Sequence, residues 1–299
     1  MDAHLAKPFC IMNPAAGTRK EVRRVVENVL QASGADFRFH ETEAAGHGYK
    51  LTQDALAAEA SCVIGIGGDG TLNEVARALV GGDIPFGMIP VGSGNAFARA
   101  LGVSVSPHKA CEQLLDAKIK CLDVGTVEEQ IFLSTAGVGL DAEVAWQYGA
   151  RKGKRRGLIP YVQLTLNIVR QYTPETVRLI IDDGPEMVFC PSIVVVANTA
   201  QYGNGAIIAP GASAEDGVLD VRVIEPKSLL SKAIHGRRLF DGTIDHMPGV
   251  TCFQARTVRV EREGAGHYQF DGEALEGTAQ LHFGLKEKAL SVMVPRGRK

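Results

Sequence analysis

Two short stretches of this chain combine residue types that can cradle phosphate. Cys62 to Val75 reads Cys-Val-Ile-Gly-Ile-Gly-Gly-Asp-Gly-Thr-Leu-Asn-Glu-Val, an apolar run that breaks at Gly67-Gly68-Asp69-Gly70-Thr71 and resumes with helical spacing. Glycines let the backbone turn tightly and approach a ligand closely. Free N–H groups at the helix start, reinforced by its dipole, favour an anion. Asp69 is the odd element, because a carboxylate repels phosphate; a divalent cation or a shuttled proton resolves the conflict. The second stretch, Ile89-Pro90-Val91-Gly92-Ser93-Gly94-Asn95-Ala96-Phe97-Ala98-Arg99, repeats the plan, with Ser93 and Asn95 beside unpaired amides. Alone it also suits a capped helix with glycine padding; paired with the first turn, a shared phosphate site is the better reading. Gly65-x-Gly67-x-x-Gly70 matches the dinucleotide fingerprint too, but the acid inside the loop and the lack of a ribose-binding acid after a following strand speak against it.

Strands and helices must bring these turns together. Phe9 to Met12 is a strand run closed by Asn13-Pro14, and Thr18-x-x-Glu21 is a capping box before Val22, Val25, Val26, Val29 and Leu30 at helical spacing. Phe37–Phe39, Cys62–Ile66 and Ile84–Val91 read as strands, and Leu51–Ala60, the Leu72–Leu79 segment and Ala96–Leu101 as helices. This β-α order predicts a parallel sheet covered by helices. From about residue 125 the runs become short, β-branched and separated by glycine or proline turns, as in Val177–Ile181, Ile193–Ala197, Leu219–Ile224 and Tyr268–Phe270, which predicts a mostly antiparallel sheet or sandwich. Helical stretches interrupt it near Leu158–Arg170 and Ser228–His235, and Ala289–Pro295 is again strand-like. The domain reading is an α/β nucleotide-binding domain over 1–125, a β-rich domain over 126–286, and a final segment, 287–299, that returns to the first.

Composition narrows the class. With 299 residues, 45% apolar and 22% charged, the chain reads as globular and long enough for two domains. A formal net charge of −2 gives no overall footprint for nucleic acid. No run approaches the roughly 18 apolar residues of a spanning helix, so membrane contact is expected at the interface only. Six cysteines without a C-x-x-C pair read as reduced, structural thiols of a cytoplasmic protein.

The motifs together resemble the diacylglycerol kinase and sphingosine kinase catalytic-domain family. Asn13-Pro14-x-x-Gly17, Gly67-Gly68-Asp69-Gly70-Thr71-Leu72-Asn73-Glu74-Val75 and Pro90-x-Gly92-Ser93-Gly94-Asn95-x-Phe97-Ala98-Arg99 carry the resemblance in the first half. Phe132-Leu133-Ser134-x-Ala136-Gly137-x-Gly139-x-Asp141, Ala197-Asn198, Tyr202-Gly203-x-Gly205, Asp216-Gly217-x-Leu219-Asp220 and Phe270-Asp271-Gly272-Glu273 carry it in the second. Gly-Gly-Asp-Gly-Thr alone also occurs in NAD kinases, and bacterial diacylglycerol-kinase-like members commonly carry Asn-Asp where this chain has Asn95-Ala96.

The resemblance implies an NAD-kinase-like fold and an ATP- and magnesium-dependent lipid kinase acting on a lipid alcohol at a peripheral membrane surface. It implies that Asn13, Gly17, Thr42, Gly67, Gly68, Asp69, Gly70, Thr71, Asn73, Glu74, Gly92, Ser93 and Asn95 form the nucleotide side. Asp271 is the implied general base, assisted by Glu273, and Asp141 the residue facing the substrate head group. Asp69 and Asp123 are the candidates near the catalytic magnesium, and Ser213, Asp216 and Val218 match a structural magnesium site. From the residues alone, Asp271-Gly272 is a hairpin turn, like Asp182-Asp183-Gly184-Pro185, and Asp216-Gly217 a turn before a strand. Arg151-Lys152-Gly153-Lys154-Arg155-Arg156, before the apolar stretch from Leu158, suits an anionic membrane surface or simply a solvated face. A kinase of a soluble nucleotide, a nonenzymatic nucleotide or lipid sensor, and homodimerisation stay open.

Overall fold

The computed structural model describes residues 5–15, 19–150, 158–225 and 238–297, and the chain divides into two units. The first is Met1–Asp123 with Glu287–Lys299, the second Val124–Lys286. In the first, β1 (Pro8–Met12), α1 (Arg19–Ala32), β2 (Arg38–Glu41), α2 (His47–Ala57), β3 (Cys62–Gly67), α3 (Asp69–Leu79) and β4 (Phe86–Pro90) alternate, followed by α4 (Ala96–Ala100), α5 (Pro107–Leu115) and β5 (Ala117–Val127). The strands pair in parallel in the order β2-β1-β3-β4. Both faces of β1 and β3 are buried, which is why these strands read as continuous apolar runs rather than alternating ones. In α1, Val22, Val26 and Leu30 are buried at i, i+4 and i+8, one face of the helix, while Val25 and Val29 are half-buried. The same logic buries Leu72, Val75, Ala76 and Leu79 of α3.

The second unit contains β6 (Gln130–Phe132), β7 (Thr135–Gly139), α6 (Leu140–Gly149), α7 (Leu158–Gln171), β8 (Val177–Ile181), β9 (Met187–Phe189), β10 (Ile193–Ala197), β11 (Gln201–Gly203), β12 (Ala206–Ile207) and β13 (Leu219–Ile224). It continues through β14 (Val250–Ala255), β15 (Thr257–Arg262), β16 (Gly266–Phe270), β17 (Glu273–Gly277) and the start of β18 (Gln280–Pro295). One antiparallel sheet has the order β14-β13-β10-β7-β16-β17. Its inner face, with Val138, Val194, Val196, Val221, Tyr268 and Phe270, packs on residues of β8, β15 and β18 such as Leu179, Val258, Val260, Leu281 and Phe283. This is the antiparallel sandwich that the short β-branched runs predict. In β18, residues 280–284 pair antiparallel with β15, and Val292 pairs in parallel with Phe86 of β4.

Several elements differ from the sequence reading. α6 was not foreseen, because Leu140–Gly149 starts inside a glycine motif and carries no sustained amphipathic period. α5 and the eleven-residue β5 were likewise missed, and the tail strand begins at Gln280 rather than Ala289. α7 buries Leu164 and Ile168 against Leu140 and Val144 of α6, not against the sheet alone, and leaves Leu166 53% exposed. Cys10, Cys62 and Cys111 are buried, but Cys121, Cys190 and Cys252 are exposed, so only half of the thiols serve as core. The basic run at 151–156, Gly17, Thr18 and the helix expected at Ser228–His235 lie outside the described residues. No described helix is long and apolar enough to cross a membrane.

Candidate active site

In the first unit the order β2-β1-β3-β4 reverses direction between β1 and β3, and the residues that follow these strands meet there. Ligands of open parallel sheets bind at such a switch point, outside the carboxyl ends of the strands. Asn13, after β1, donates from Nδ2 to Thr71 Oγ1 at 3.1 Å and accepts the Ala15 amide at 2.9 Å. Thr42, after β2, donates its amide to Met12 O at 2.9 Å and is buried. Gly68 caps α3 with an extended backbone, and Leu72 N donates to Gly68 O, the first intrahelical bond. The amides of Gly70 and Thr71 therefore have no backbone acceptor inside the helix, as at any helix start, and that of Asp69 leans on its own carboxylate.

The second glycine turn is pressed against the first. Val91 N donates to Gly67 O at 2.9 Å. A Cβ on Gly92 would lie 2.5 Å from the Cα of Gly68, and one on Gly94 would lie 2.7 Å from Asp69 Oδ2. Asp69 makes the joint: its two oxygens accept the amides of Asn95 and Ala96, each at 2.7 Å. Burial pushes this carboxyl up, and the two amides pull it down. Asn95 sits in the left-handed region at φ 55° and folds its side chain onto Gly92, accepting from N at 3.0 Å and donating to O at 2.8 Å. Ser93 is exposed at the tip. The acid that looked out of place in a phosphate loop thus clamps the neighbouring turn.

Two further residues expected on the nucleotide side lie on α3. Glu74 accepts the amides of Gly46 at 2.7 Å and Gly48 at 2.9 Å, so its carboxylate caps α2. Asn73 is buried on the inner face of α3. Glu74→Ala is expected to lower stability by about 1 kcal/mol, the usual worth of an N-terminal cap, while any affinity of the full chain for ATP used as a probe stays within about threefold, an allowance of under 1 kcal/mol. Thermal denaturation beside nucleotide titration checks this; a large loss of ATP affinity with unchanged stability would restore Glu74 to the nucleotide site.

In the second unit, α6 starts at Gly139, whose φ of 105° and contact with Ser192 O, 2.4 Å from any Cβ, exclude a side chain. Its first turn presents Asp141. Oδ2 of Asp141 accepts from Tyr202 Oη at 3.0 Å and Gln269 Nε2 at 3.0 Å, and Oδ1 accepts the Ala142 amide at 2.9 Å. Burial dominates and raises this carboxyl to about 6, against the pull of those three donors. In the same turn, Glu143 meets His267 Nδ1 at 2.8 Å, and Trp146 stacks on His267.

Asp271 and Gly272 form the two-residue turn between β16 and β17, both at positive φ (48° and 84°), as a type I′ hairpin requires. The Asp271 carboxylate accepts three successive amides: Leu133 on Oδ2 at 2.8 Å, and Ser134 at 2.8 Å and Thr135 at 3.3 Å on Oδ1. Asp182, in the comparison turn, holds the amides of Arg256 and Thr257, each at 2.8 Å, in the same manner. Glu273 is exposed at the start of β17.

The magnesium candidates Asp123, Ser213 and Asp216 each hold a backbone amide. Asp123 is 1% exposed and accepts the Lys288 amide at 2.7 Å, so it anchors the return of β18. Ser213 and Asp216 accept the amides of Glu215 at 3.3 Å and Val218 at 3.2 Å, as turn residues do. Among the described residues no three acids, histidines or cysteines are grouped to hold a metal. A magnesium carried by phosphates needs only one or two carboxylates.

Residues 7–127 match the family model described as the diacylglycerol kinase catalytic domain, and residues 134–294 the YegS C-terminal NAD kinase beta sandwich-like domain. A Pseudomonas fluorescens protein named "Probable lipid kinase YegS-like" is 31% identical over 301 residues, covering 97% of this chain and 95% of its own. A diacylglycerol kinase of Mycobacterium tuberculosis is 29% identical over 229 residues, 75% of this chain and 74% of its own. A crystal structure of a diacylglycerol kinase from Bacillus anthracis shares the fold, with a TM-score of 0.73 over 97% of each chain at 20% identity.

Proposed function

The chain belongs to the diacylglycerol kinase catalytic-domain family, with a YegS-type sandwich as its second unit, and on that premise we propose that it is a lipid kinase moving the γ-phosphate of ATP, with magnesium, onto the hydroxyl of a lipid alcohol. The observation that carries the reading is the pair of glycine turns locked backbone to backbone at the sheet's switch point, by Gly68 against Gly92 and by the Asp69 clamp. Phosphoryl transfer needs a held triphosphate, neutralised charge and a positioned hydroxyl more than covalent help from the protein. The amides of Gly70 and Thr71, with Asn13, Thr71 and Ser93 beside them, hold the triphosphate. Magnesium supplies charge neutralisation when bound, and Asp69 is the carboxylate at the turn that would hold it.

Asp141 receives the acceptor's head group and Asp271 the hydroxyl proton, with Glu273 assisting from the exposed side of the turn. The three amides hold the Asp271 carboxylate in place, and a loose transition state asks more for position than for basic strength. Leu166 of α7, exposed on the helix face away from Leu164 and Ile168, supports action at a membrane surface. Radiolabelled ATP offered with diacylglycerol, sphingoid base, ceramide and other lipid alcohols in mixed micelles, beside NAD as a soluble acceptor, tests the reading. Label in one or more lipids and none in NAD is expected; label in NAD alone, or ATP binding without transfer, overturns it.

A further inference from the structure

β16 carries a polar residue between two aromatic ones. Tyr268 and Phe270 point into the sandwich core, so the period of two turns Gln269 to the opposite face, where it is only 3% exposed. A buried primary amide must find partners for both ends. Gln269 Nε2 donates to Asp141 Oδ2 at 3.0 Å, and Gln269 Oε1 accepts the Gly272 amide at 3.2 Å. One side chain therefore joins the acid of α6 to the hairpin that carries Asp271.

The neighbouring strand makes room for this link. Gly137 of β7 lies opposite Gln269 in the register, and a Cβ there would stand 2.3 Å from Val194 O and 3.3 Å from Asp141 Oδ2. The glycine spacing of the Ala136-Gly137-x-Gly139-x-Asp141 motif thus keeps a side chain out of the space where the acid and the amide meet. Tyr202 adds a second donor to the same oxygen.

We propose that Gln269 is a positioning residue for acceptor recognition: it sets the orientation of Asp141 and the place of the Asp271–Gly272 turn together, so that head-group binding and hydroxyl alignment depend on one amide. This rests on the lipid-kinase reading and deepens it. The physical consequence is specific. Gln269 stabilises the charged form of Asp141, whose carboxyl burial raises to about 6. The other ionisable groups around it are Tyr202, the Glu143–His267 pair and Tyr172, whose hydroxyl Asp141 itself helps to push up. The Gly272 amide is donated to Gln269 Oε1, so the link runs through this side chain.

Two variants test it. Gln269→Met fills similar space but removes both bonds. Gln269→Glu keeps an acceptor for Gly272 and sets a second carboxylate on Asp141, a pair that binds one proton more tightly. For Gln269→Met the expected result is a loss of about tenfold or more in kcat/KM for the lipid, the scale of one lost hydrogen bond to a charged group, with KM for ATP unchanged. The acid limb of the pH profile should move to higher pH. Gln269→Glu should regain activity relative to Gln269→Met as pH falls and the pair shares a proton. Wild-type pH profiles in both variants, or losses that only follow thermal stability, overturn the proposal. Carboxyl NMR titration of Asp141 in the full chain separates the two levels of argument. An upward shift in Gln269→Met sustains the link even if no lipid is phosphorylated, whereas an unmoved titration rejects it even if one is.

Discussion

Asp271→Asn is expected to lose both stability and turnover, and the two losses can be separated. The carboxylate holds the amides of Leu133, Ser134 and Thr135, and asparagine keeps only one acceptor oxygen while turning an NH2 group toward donors. Leaving at least one amide unpaired costs about 1–3 kcal/mol, visible as a lower melting temperature. Losing the group that receives the hydroxyl proton adds a fall of about 10²–10⁴-fold in kcat. Asp182→Asn is the internal control, since Asp182 holds the amides of Arg256 and Thr257 from a similar turn. It should lose stability on the same scale and keep kcat. If both variants lose activity only in proportion to unfolding, Asp271 is a turn residue; if Asp271→Asn retains near wild-type kcat, its role in proton transfer is wrong.

The second large effect is expected at Gly92. A methyl group there stands 2.5 Å from Gly68 Cα and 2.9 Å from Asn95 Oδ1, and both neighbours are constrained. Gly68 is backbone and Asn95 is locked onto Gly92 itself, so the turns must part. Overpacking of this kind costs about 1–3 kcal/mol, and an error of about 1 Å in positioning can cost 10²-fold in rate. Gly92→Ala should therefore lose ATP affinity and about 100-fold or more in turnover while still folding. Gly264→Ala, where a Cβ meets nothing within 4 Å, should match the wild type in both. Nucleotide titration and single-turnover transfer read the result; an active Gly92→Ala would mean that the two turns do not act as one phosphate site.

Much of this site could be read from residue order. The glycine turns announced themselves because only glycine tolerates such close backbone approach, and that requirement is local. The β-α alternation and the later short β-branched runs were legible for the same reason, since periodicity records which face each element buries. Roles were harder. Asp69 and Glu74 sit in a phosphate-site motif and Asp123 is a magnesium candidate, yet their carboxylates hold amides of Asn95 and Ala96, of Gly46 and Gly48, and of Lys288. A motif records that an acid is needed, not which donor it meets.

Gln269 shows the limit most clearly. A signal was present, a polar residue between two core aromatics on a strand, but its meaning depended on α6, a helix that glycine spacing concealed. By itself the sequence determined the two fold classes and the glycine turns, because steric demand and burial act through neighbours along the chain. Only the tertiary structure decided what Asp69, Glu74, Asp123 and Asp271 do, because the amides they hold lie from 26 to 165 residues away and no local pattern encodes them.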